Sequence, residues 1–437
     1  LLRSFQSVFR IPELRKRLLY TFALLIVYRI GGHIPNAGID GRALADFFSQ
    51  ARGTLLGFYD MFVGGNLRRA TIFALGIMPY ISASIILQLF TAVIPYFERL
   101  KKEGEEGRRK ITQYTRYGTV AISFVQGYGI SIFLESMRAT GGAPVVPNPG
   151  WGFRALTVLS LTAGTIFVMW LGEQITERGI GNGISLIIFI GIVARYPGQV
   201  VSTLRAVSAG TFTIFQVIIL GIVVVAVTAF VVLITQGQRK IPVQYAKRVV
   251  GRRMYGGQST HIPLRVNTAG VIPIIFAQSV LMFPKTLAQT FFRDVPIMEM
   301  ISDQLSTGAL LYSVLYSGMI IFFAYFYTAI VFNPVDLADN MKKYGGFIPG
   351  IRPGRRTSEF IDRVLTRITL PGAVFLAFIA LLPDFLIYKL HAPVYFGGTG
   401  LLIVVGVALD TLQQIESHLL MRHYDGFMKK GRLRGRR

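Results

Sequence analysis

The chain has no cysteine among its 437 residues, which excludes disulfide bonds and thiolate chemistry and leaves its redox compartment unmarked. Charge is scarce too, at 16% of residues, and it leans one way: 22 Asp and Glu stand against 46 Lys and Arg, for a net charge of +24. The histidines His33, His261, His391, His418 and His423 fall in separate loops or helix ends, at no metal-ligand spacing. No glycine-rich stretch has the G-x-x-x-x-G-K-[ST] order that cradles phosphates. Gly104 to Lys110 has the glycines without that order, and Glu105 and Glu106 read as a solvated turn in a charge run. Catalysis is not expected, no cofactor is implied, and any energy source must lie outside the chain.

What the sequence has is hydrocarbon. A hydrophobic fraction of 52% and a mean hydropathy of +0.51 describe a polytopic membrane protein. Apolar runs fall at 18–34, 71–94, 117–137, 154–174, 184–204, 211–235, 268–290, 308–332, 368–388 and 397–415. Their lengths suit α-helices crossing a core roughly 30 Å thick, which takes about 20 residues. An all-α fold of ten transmembrane helices is the expectation. The basic front end followed by Leu18 to Ile34 has the pattern of a signal peptide, but the further runs make it a signal anchor.

Five Lys- and Arg-rich stretches abut these runs: 3–17, 99–116, 239–265, 342–367 and the tail from Arg422. Summed by side, 34 basic residues fall at the N-terminus, in the even-numbered connections and in the tail. Eleven fall in the odd-numbered connections, and Arg29 lies in the first run. Both termini are thereby predicted to be cytoplasmic. Ten helices split into five and five near residue 205, giving halves 1–205 and 206–437. An odd number per half sets them in opposite orientation, as in an inverted repeat, although no convincing internal sequence match supports it.

Carboxylates are nearly missing from the runs. Arg29, Glu135, Glu173, Asp410 and Glu416 lie near helix ends, where they can snorkel or pair at an interface. This argues against ion-coupled transport, which needs ionisable groups at depth, and leaves a passive pore open. The segment 58–69 is too short to span and too apolar for a solvated loop, with Gly64 and Gly65 breaking it before Arg68 and Arg69. It reads either as an interfacial half-helix on lipid headgroups or as a re-entrant segment buried in protein. Ile77 and Ile81 share one helix face beside Pro79, which is expected to bend the second helix, and Ile184 and Ile188 repeat the spacing. The stretch from Asn267 to Ile275 again mixes Pro with β-branched residues. Such isoleucines pack in a bundle or face lipid, or they form a ring from which water withdraws. Ser82, Gln126 and Asn267 either bond helices together or line a seam.

Four blocks are more specific: Phe73 to Ile81, Lys102 to Arg109, Ile175 to Gly183 and Gly346 to Gly354. They resemble the signature motifs of the SecY/Sec61α family of protein-conducting channels, and the resemblance runs from Ile11 to the tail. The external segments 138–153 and 291–308 show least of it. The resemblance implies an hourglass of two inverted halves of five helices in the bacterial plasma (inner) membrane. Such a channel passes unfolded secretory polypeptides and releases hydrophobic segments sideways into lipid.

By position it implies a pore ring of Ile77, Ile81, Ile184, Ile188, Ile275 and Ile403. The plug would be segment 58–69, with Phe58, Phe62, Gly64, Gly65 and Asn66, and the lateral gate would use Ser82, Gln126, Asn267 and Phe283. The long basic loops 236–267 and 333–367 would be the docking face, through Arg239, Lys247, Arg248, Arg252, Arg253, Arg352, Arg355 and Arg356. The implied partners are the SecE and SecG subunits, the SecA motor ATPase, the ribosome with its RNA and proteins, preproteins with their signal sequences, and membrane lipids. Positive-inside bias plus lipid attraction of about 1 kcal/mol per charge is the plainer account of those loops. A secondary transporter or small-solute channel is the alternative function, and an anchor recruiting RNA through basic loops is a third.

Overall fold

The computed structural model describes residues 11–50, 60, 63–138, 142–210, 213–245, 248–250, 253–255, 259–291, 304, 309–390 and 398–430. Among these, seven helices are long and apolar enough to cross a membrane. An eighth counts if Met78–Val93 and Pro95–Lys102, bent by 95°, form one broken span. In chain order the helices are α1 (Pro12–Gly31), α2 (Gly41–Gln50), α3 (Met78–Val93), α4 (Pro95–Lys102), α5 (Glu105–Ser136), α6 (Trp151–Arg178), α7 (Gly183–Val193), α8 (Tyr196–Ser208) and α9 (Ile214–Gln236). After strands β1 (Gln238–Tyr245), β2 (Arg248–Val250), β3 (Arg253–Tyr255) and β4 (Ser259–Arg265) come α10 (Ile272–Phe291), α11 (Leu310–Val331) and α12 (Pro334–Lys343). Strand β5 (Gly346–Phe347) and helices α13 (Arg355–Leu390) and α14 (Gly398–Lys430) complete the order. Helix α1 carries Glu13, Arg15, Lys16, Arg17 and Arg29, leaving only Leu18 to Tyr28 uncharged, about 16 Å of helix.

Three expectations change. The basic stretches are largely regular structure rather than loops. Glu105 and Glu106 form the first turn of α5, where carboxylates oppose the unpaired N–H groups, so the helix runs through 105–116 before its apolar part begins. Pro79 does not bend a helix. Helix α3 begins at Met78, and Pro79 occupies its first turn, where a missing N–H costs nothing. The run 184–204 is two helices, broken between Val193 and Tyr196.

The chain forms two compact units. The first comprises Leu1–Ala209, Met282–Thr307 and Val407–Arg437. In it α5 packs on α3 and α6, while α6 also packs on α1 and α7. Small residues allow these approaches, as is usual between apolar helices. A Cβ on Gly164 would collide with the Ile72 carbonyl oxygen, and one on Gly183 with that of Gly172. Phe73 stacks between Tyr28, at 5.8 Å, and Phe167, at 6.0 Å, and so anchors the non-helical stretch before α3. Glu135 pairs with Arg154 at 2.6 Å and Glu173 with Arg116 at 2.8 Å, each tying α5 to α6 near a helix end.

The second unit comprises Gly210–Leu281 and Gly308–Gly406. Its three-stranded sheet has order β4-β1-β5, with β1 antiparallel to β4 from Gln238 opposite Arg265 to Gln244 opposite Ser259. Alternation along β1 buries Ile241 and Val243 with Leu264, Met341, Ile348, Ile361 and Leu365. Proline is tolerated at 242 because β5 pairs only with Gln244 and Tyr245, leaving the edge at 242 without a ladder bond to lose. Strands β2 and β3 form a separate two-stranded ribbon.

Replacing Gly164 by Ala should destabilise the protein by about 1–3 kcal/mol, the range for overpacking a tight contact. Gly221, which has open space around it, should accept Ala without loss. Thermal unfolding of the two variants in detergent measures the difference.

Candidate functional site

The segment before α3 is buried inside the first unit. Asp60 is 1% exposed, Val63 1% and Asn66 2%, and Gly64, Gly65 and Leu67 are buried with them. This overturns the half-helix resting on headgroups and matches a segment enclosed by protein. Phe58 and Phe62 lie outside the described residues. The path needs left-handed backbone at Gly64 (φ 77°) and Gly65 (φ 84°), which glycine adopts without strain. Close approach matters as much: a Cβ on Gly64 would stand 3.0 Å from Gly191 Cα on α7.

Irregular backbone here finds partners within the unit. Tyr28 Oη donates to Val63 O at 3.3 Å and accepts from Asn66 Nδ2 at 3.3 Å. Gly65 N donates to Asp60 O at 2.7 Å, and Arg68 N donates to Asp60 Oδ1 at 2.9 Å. Asn36 N donates to Ala70 O at 2.8 Å, and Ile72 N to Ile34 O at 3.1 Å. Each bond replaces one that water would make at a surface.

The isoleucines sit at helix starts or inside packed helices. Ile77 caps α3 and is buried with Ile81, while Ile188 is buried on α7 and Ile184 half-buried one turn earlier. Asn182 sets the start of α7, its Oδ1 accepting from Ile184 N at 3.1 Å and Ser185 N at 3.2 Å. Gly181, at φ 87°, turns the chain into that cap and donates its N–H to Gln414 Oε1 at 2.9 Å. In the second unit Ile275 on α10 and Ile403 on α14 are buried. Gly270 (φ 62°) precedes Pro273 in the first turn of α10, as Gly76 (φ 55°) precedes Pro79 in α3. Each unit therefore has a helix whose start uses a left-handed glycine followed three residues later by proline, ahead of Ile81 in one and Ile275 in the other. This arrangement is readable in the sequence as two aligned stretches, from Gly76 and from Gly270.

Of the seam residues, Ser82 on α3 and Gln126 on α5 are half-buried in the first unit, and Gln126 Oε1 has no hydrogen-bond partner among the described residues. Asn267 is buried in the second unit. The side chain of Phe283 lies outside the described residues, as do Lys247 and Arg252.

The basic residues are displayed on built structure. Arg239 is exposed on β1 opposite Leu264, and in the ribbon Arg248 lies opposite Tyr255 and Arg253 opposite Val250, the side chains of both arginines lying outside the described residues. Ile348 to Ile351 form a turn closed by Ile351 N donating to Ile348 O at 3.0 Å. Pro349 and Gly350 (φ 82°) sit where a type II turn needs them. Ile348 is buried in the unit's core, and Thr357 Oγ1 donates to Arg352 O at 2.9 Å, so Arg352 follows an anchored turn and its carbonyl is held. Arg352, Arg355 and Arg356 are exposed; Arg355 Nε donates to Glu359 at 3.0 Å, and among the described residues Arg352 and Arg356 form no ion pair.

One open groove, of about 720 Å³, lies in the first unit between α1, α7 and the later part of α14. Phe22, Leu25, Ile26, Phe189, Val407 and Leu412 line it. Asp60, within the buried segment, pairs with Arg195, which directly precedes α8, and the sequence alone does not mark this pair.

Comparison with known proteins gives a consistent picture. The profile of the SecY family matches residues 71–412. Protein translocase subunit SecY of Escherichia coli (strain K12) is 52% identical over 425 residues, 97% of this chain and 96% of the relative. Its counterpart in Aquifex aeolicus (strain VF5) is 45% identical over 97% of this chain and 99% of the relative. Among solved structures, a protein-conducting channel aligns with a TM-score of 0.66 at 20% identity, covering 92% of each chain. Sec61 in the canine ribosome-channel complex from the endoplasmic reticulum aligns at 0.59, with 20% identity and the same coverage. These two structures speak to the fold.

Tyr28→Phe should destabilise the protein by about 1–3 kcal/mol, because the Asn66 amide and the Val63 carbonyl stay buried and each loses a partner. A lowered unfolding midpoint for Tyr28→Phe, with Tyr20→Phe near wild type, is the expected result.

Proposed function

This chain belongs to the SecY family, and we infer that it is the protein-conducting subunit of a protein translocase, a multi-pass membrane protein. Whole-length similarity to bacterial translocase subunits carries the reading, and it sets aside a secondary transporter or small-solute channel. The bacterial plasma membrane is the proposed location, with ten spans, two inverted halves and both termini cytoplasmic. The broken run 71–102, the short uncharged part of α1 and the apolar start of α10 supply spans that length and composition alone do not count.

The proposed constriction is the six isoleucines Ile77, Ile81, Ile184, Ile188, Ile275 and Ile403. A polypeptide substrate offers no fixed side-chain chemistry, so polar groups that bind one sequence would arrest another. Isoleucine seals by contact alone and yields by rotamer change, and ions do not cross such a ring cheaply. Segment 58–69 is the proposed plug, supported by the burial of Asp60 and of Val63 to Leu67 and by the glycine-dependent path there. Ser82, Gln126, Asn267 and Phe283 are the proposed lateral gate. Sideways exit sorts segments by transfer free energy: about 20 apolar residues partition into lipid, while Asp, Lys or Arg at the centre costs roughly 2.5–3.5 kcal/mol each. The chain needs no reaction of its own for either route.

The docking face is proposed to be the β1–β4 hairpin with its ribbon, together with the turn before α13. Basic side chains there suit ribosomal RNA phosphates or an acidic motor surface. The fold's likeness to Sec61 in a ribosome-channel complex supports the ribosome as partner, and the SecA motor ATPase would use the same face. The open apolar groove between α1, α7 and α14 supports a companion apolar helix, which SecE or SecG would supply.

Reconstituted with its companion subunits, the chain should pass preprotein and exclude small solutes at rest. Deleting 58–69, or replacing Ile81 and Ile188 by Gly, should raise resting ion conductance severalfold in planar bilayers; unchanged conductance would contradict plug and ring together. Arg352→Glu should leave insertion intact and cut motor-driven secretion by about tenfold or more, since a held, exposed cation becomes a repulsive charge. Secretion at the normal rate would remove Arg352 from the docking face.

A further inference from the structure

Asp60 is the buried acid of the proposed plug, and the role inferred for it rests on that assignment. Its two carboxylate oxygens are divided. Oδ1 accepts from Arg68 N at 2.9 Å, within the segment, and Oδ2 faces Arg195 Nη1 at 3.6 Å, outside it. The backbone carbonyl of Asp60 accepts from Gly65 N at 2.7 Å, so the same residue folds the segment and ties it to its surroundings. Arg195 stands at the joint between α7 and α8, where the run 184–204 breaks, and its side chain is 24% exposed against 2% for Asp60. Arg195 Nη1 has no hydrogen-bond partner among the described residues, so the carboxylate is what faces that end of the guanidinium.

The other contacts of the segment are of a different kind. Val63 stands against Gly76, Gly64 against Gly191, and Tyr28 meets Val63 O and Asn66. Close packing and neutral hydrogen bonds shape a seat, but they are short-range and are lost within about an ångström of displacement. A buried ion pair is different, because its attraction falls only as 1/r and parting it without water leaves both charges uncompensated, so it still resists displacement after those contacts are lost and lets go once water enters. We propose that Asp60 and Arg195 are positioning residues that latch the plug in its seat. The closed channel is held by this ion pair, and the pair parts when a polypeptide opens the channel. Since Arg195 lies between the end of α7 and the start of α8, the latch also ties the plug to the joint in that span.

The test uses the full chain reconstituted with its companion subunits and compares Asp60→Asn, Arg195→Gln and the double variant. Each is read by resting ion conductance and by the rate at which a Val63→Cys background reacts with a membrane-impermeant maleimide. The chain has no other cysteine and Val63 is 1% exposed, so labelling reports departure of the segment. Asp60→Asn keeps the shape and the acceptor for Arg68 N, which separates loss of the latch from loss of fold. Both single variants should raise conductance and labelling by about tenfold. The double variant should show less than the product of the two, because no charge is then left buried without its partner. Singles at the resting level, or effects that simply multiply, would overturn the latch. If deletion of 58–69 still raises conductance, the latch alone fails; if deletion changes nothing, the plug reading fails and takes the latch with it.

Discussion

Backbone that is neither helix nor sheet has to find its hydrogen bonds inside the protein when the surroundings are hydrocarbon, and this governs the first unit. The described residues Asp60 and Val63 to Ile77 are the test case, since most of them are buried, they are largely irregular and a helix follows at once. Their N–H and carbonyl groups reach Ile34, Asn36, Tyr28 and one another, and Asp60 accepts from two N–H groups of its own segment. Glycine is what lets the path exist. With Cβ atoms at 64 and 76, the first would press on Gly191 and the second on Val63, each at 3.0 Å. A segment satisfied this way can be held without being woven into a sheet or helix.

The same constraint explains why the two Gly-x-x-Pro stretches recur. A helix that starts within apolar surroundings must hide its first N–H groups. Proline in the first turn removes one of them, while a left-handed glycine three residues earlier turns the chain sharply into the helix. Gly76 with Pro79 and Gly270 with Pro273 do this in separate units, and each places an isoleucine, Ile81 or Ile275, one turn in. Asn182 achieves the same end for α7 by capping, ahead of Ile184 and Ile188. Three helix starts solved by two kinds of chemistry all deliver apolar β-branched side chains. That convergence supports the isoleucine set more strongly than the spacing of any one pair.

Much of the helical order is legible in the sequence, because apolar runs longer than any soluble core requires have few other uses. The family is legible from four motifs. What stays hidden has local causes. The β1–β4 hairpin carries charges at 239, 240 and 265 and prolines at 242 and 263, which mask the alternation of Ile241, Val243, Ile262 and Leu264. The helical start of α5 resembles a loop because dense charge suggests a turn, whereas Glu105 and Glu106 suit a helix N-terminus. Pro79 suggests a kink because nothing in the run 71–94 marks where the helix begins. Asp60 is legible only as one polar residue of an odd segment. Arg195, which interrupts an apolar run, enters the charge balance as an external cation although its partner is a buried acid 135 positions away.

The proposed docking face obeys an opposite requirement. A face that receives force from an external engine must not yield, or the work goes into bending the receiver rather than moving the substrate. The turn carrying Arg352 meets that requirement through its neighbours. Ile348 is sunk in a core shared by β1, β4, α12 and α13, the turn is closed by its own hydrogen bond, and Thr357 on α13 fixes the carbonyl of Arg352. Helix α13 then continues from this turn as one element to Leu390, so a load taken at the turn has a rigid path along an unbroken helix. Arginine suits the exposed position because its planar fork pairs in two places with phosphate or carboxylate, which resists rotation as well as separation. Stiffness at the proposed docking turn and release of the proposed plug are therefore complementary. On that reading the chain keeps its give for the proposed seal and withholds it from the proposed docking face.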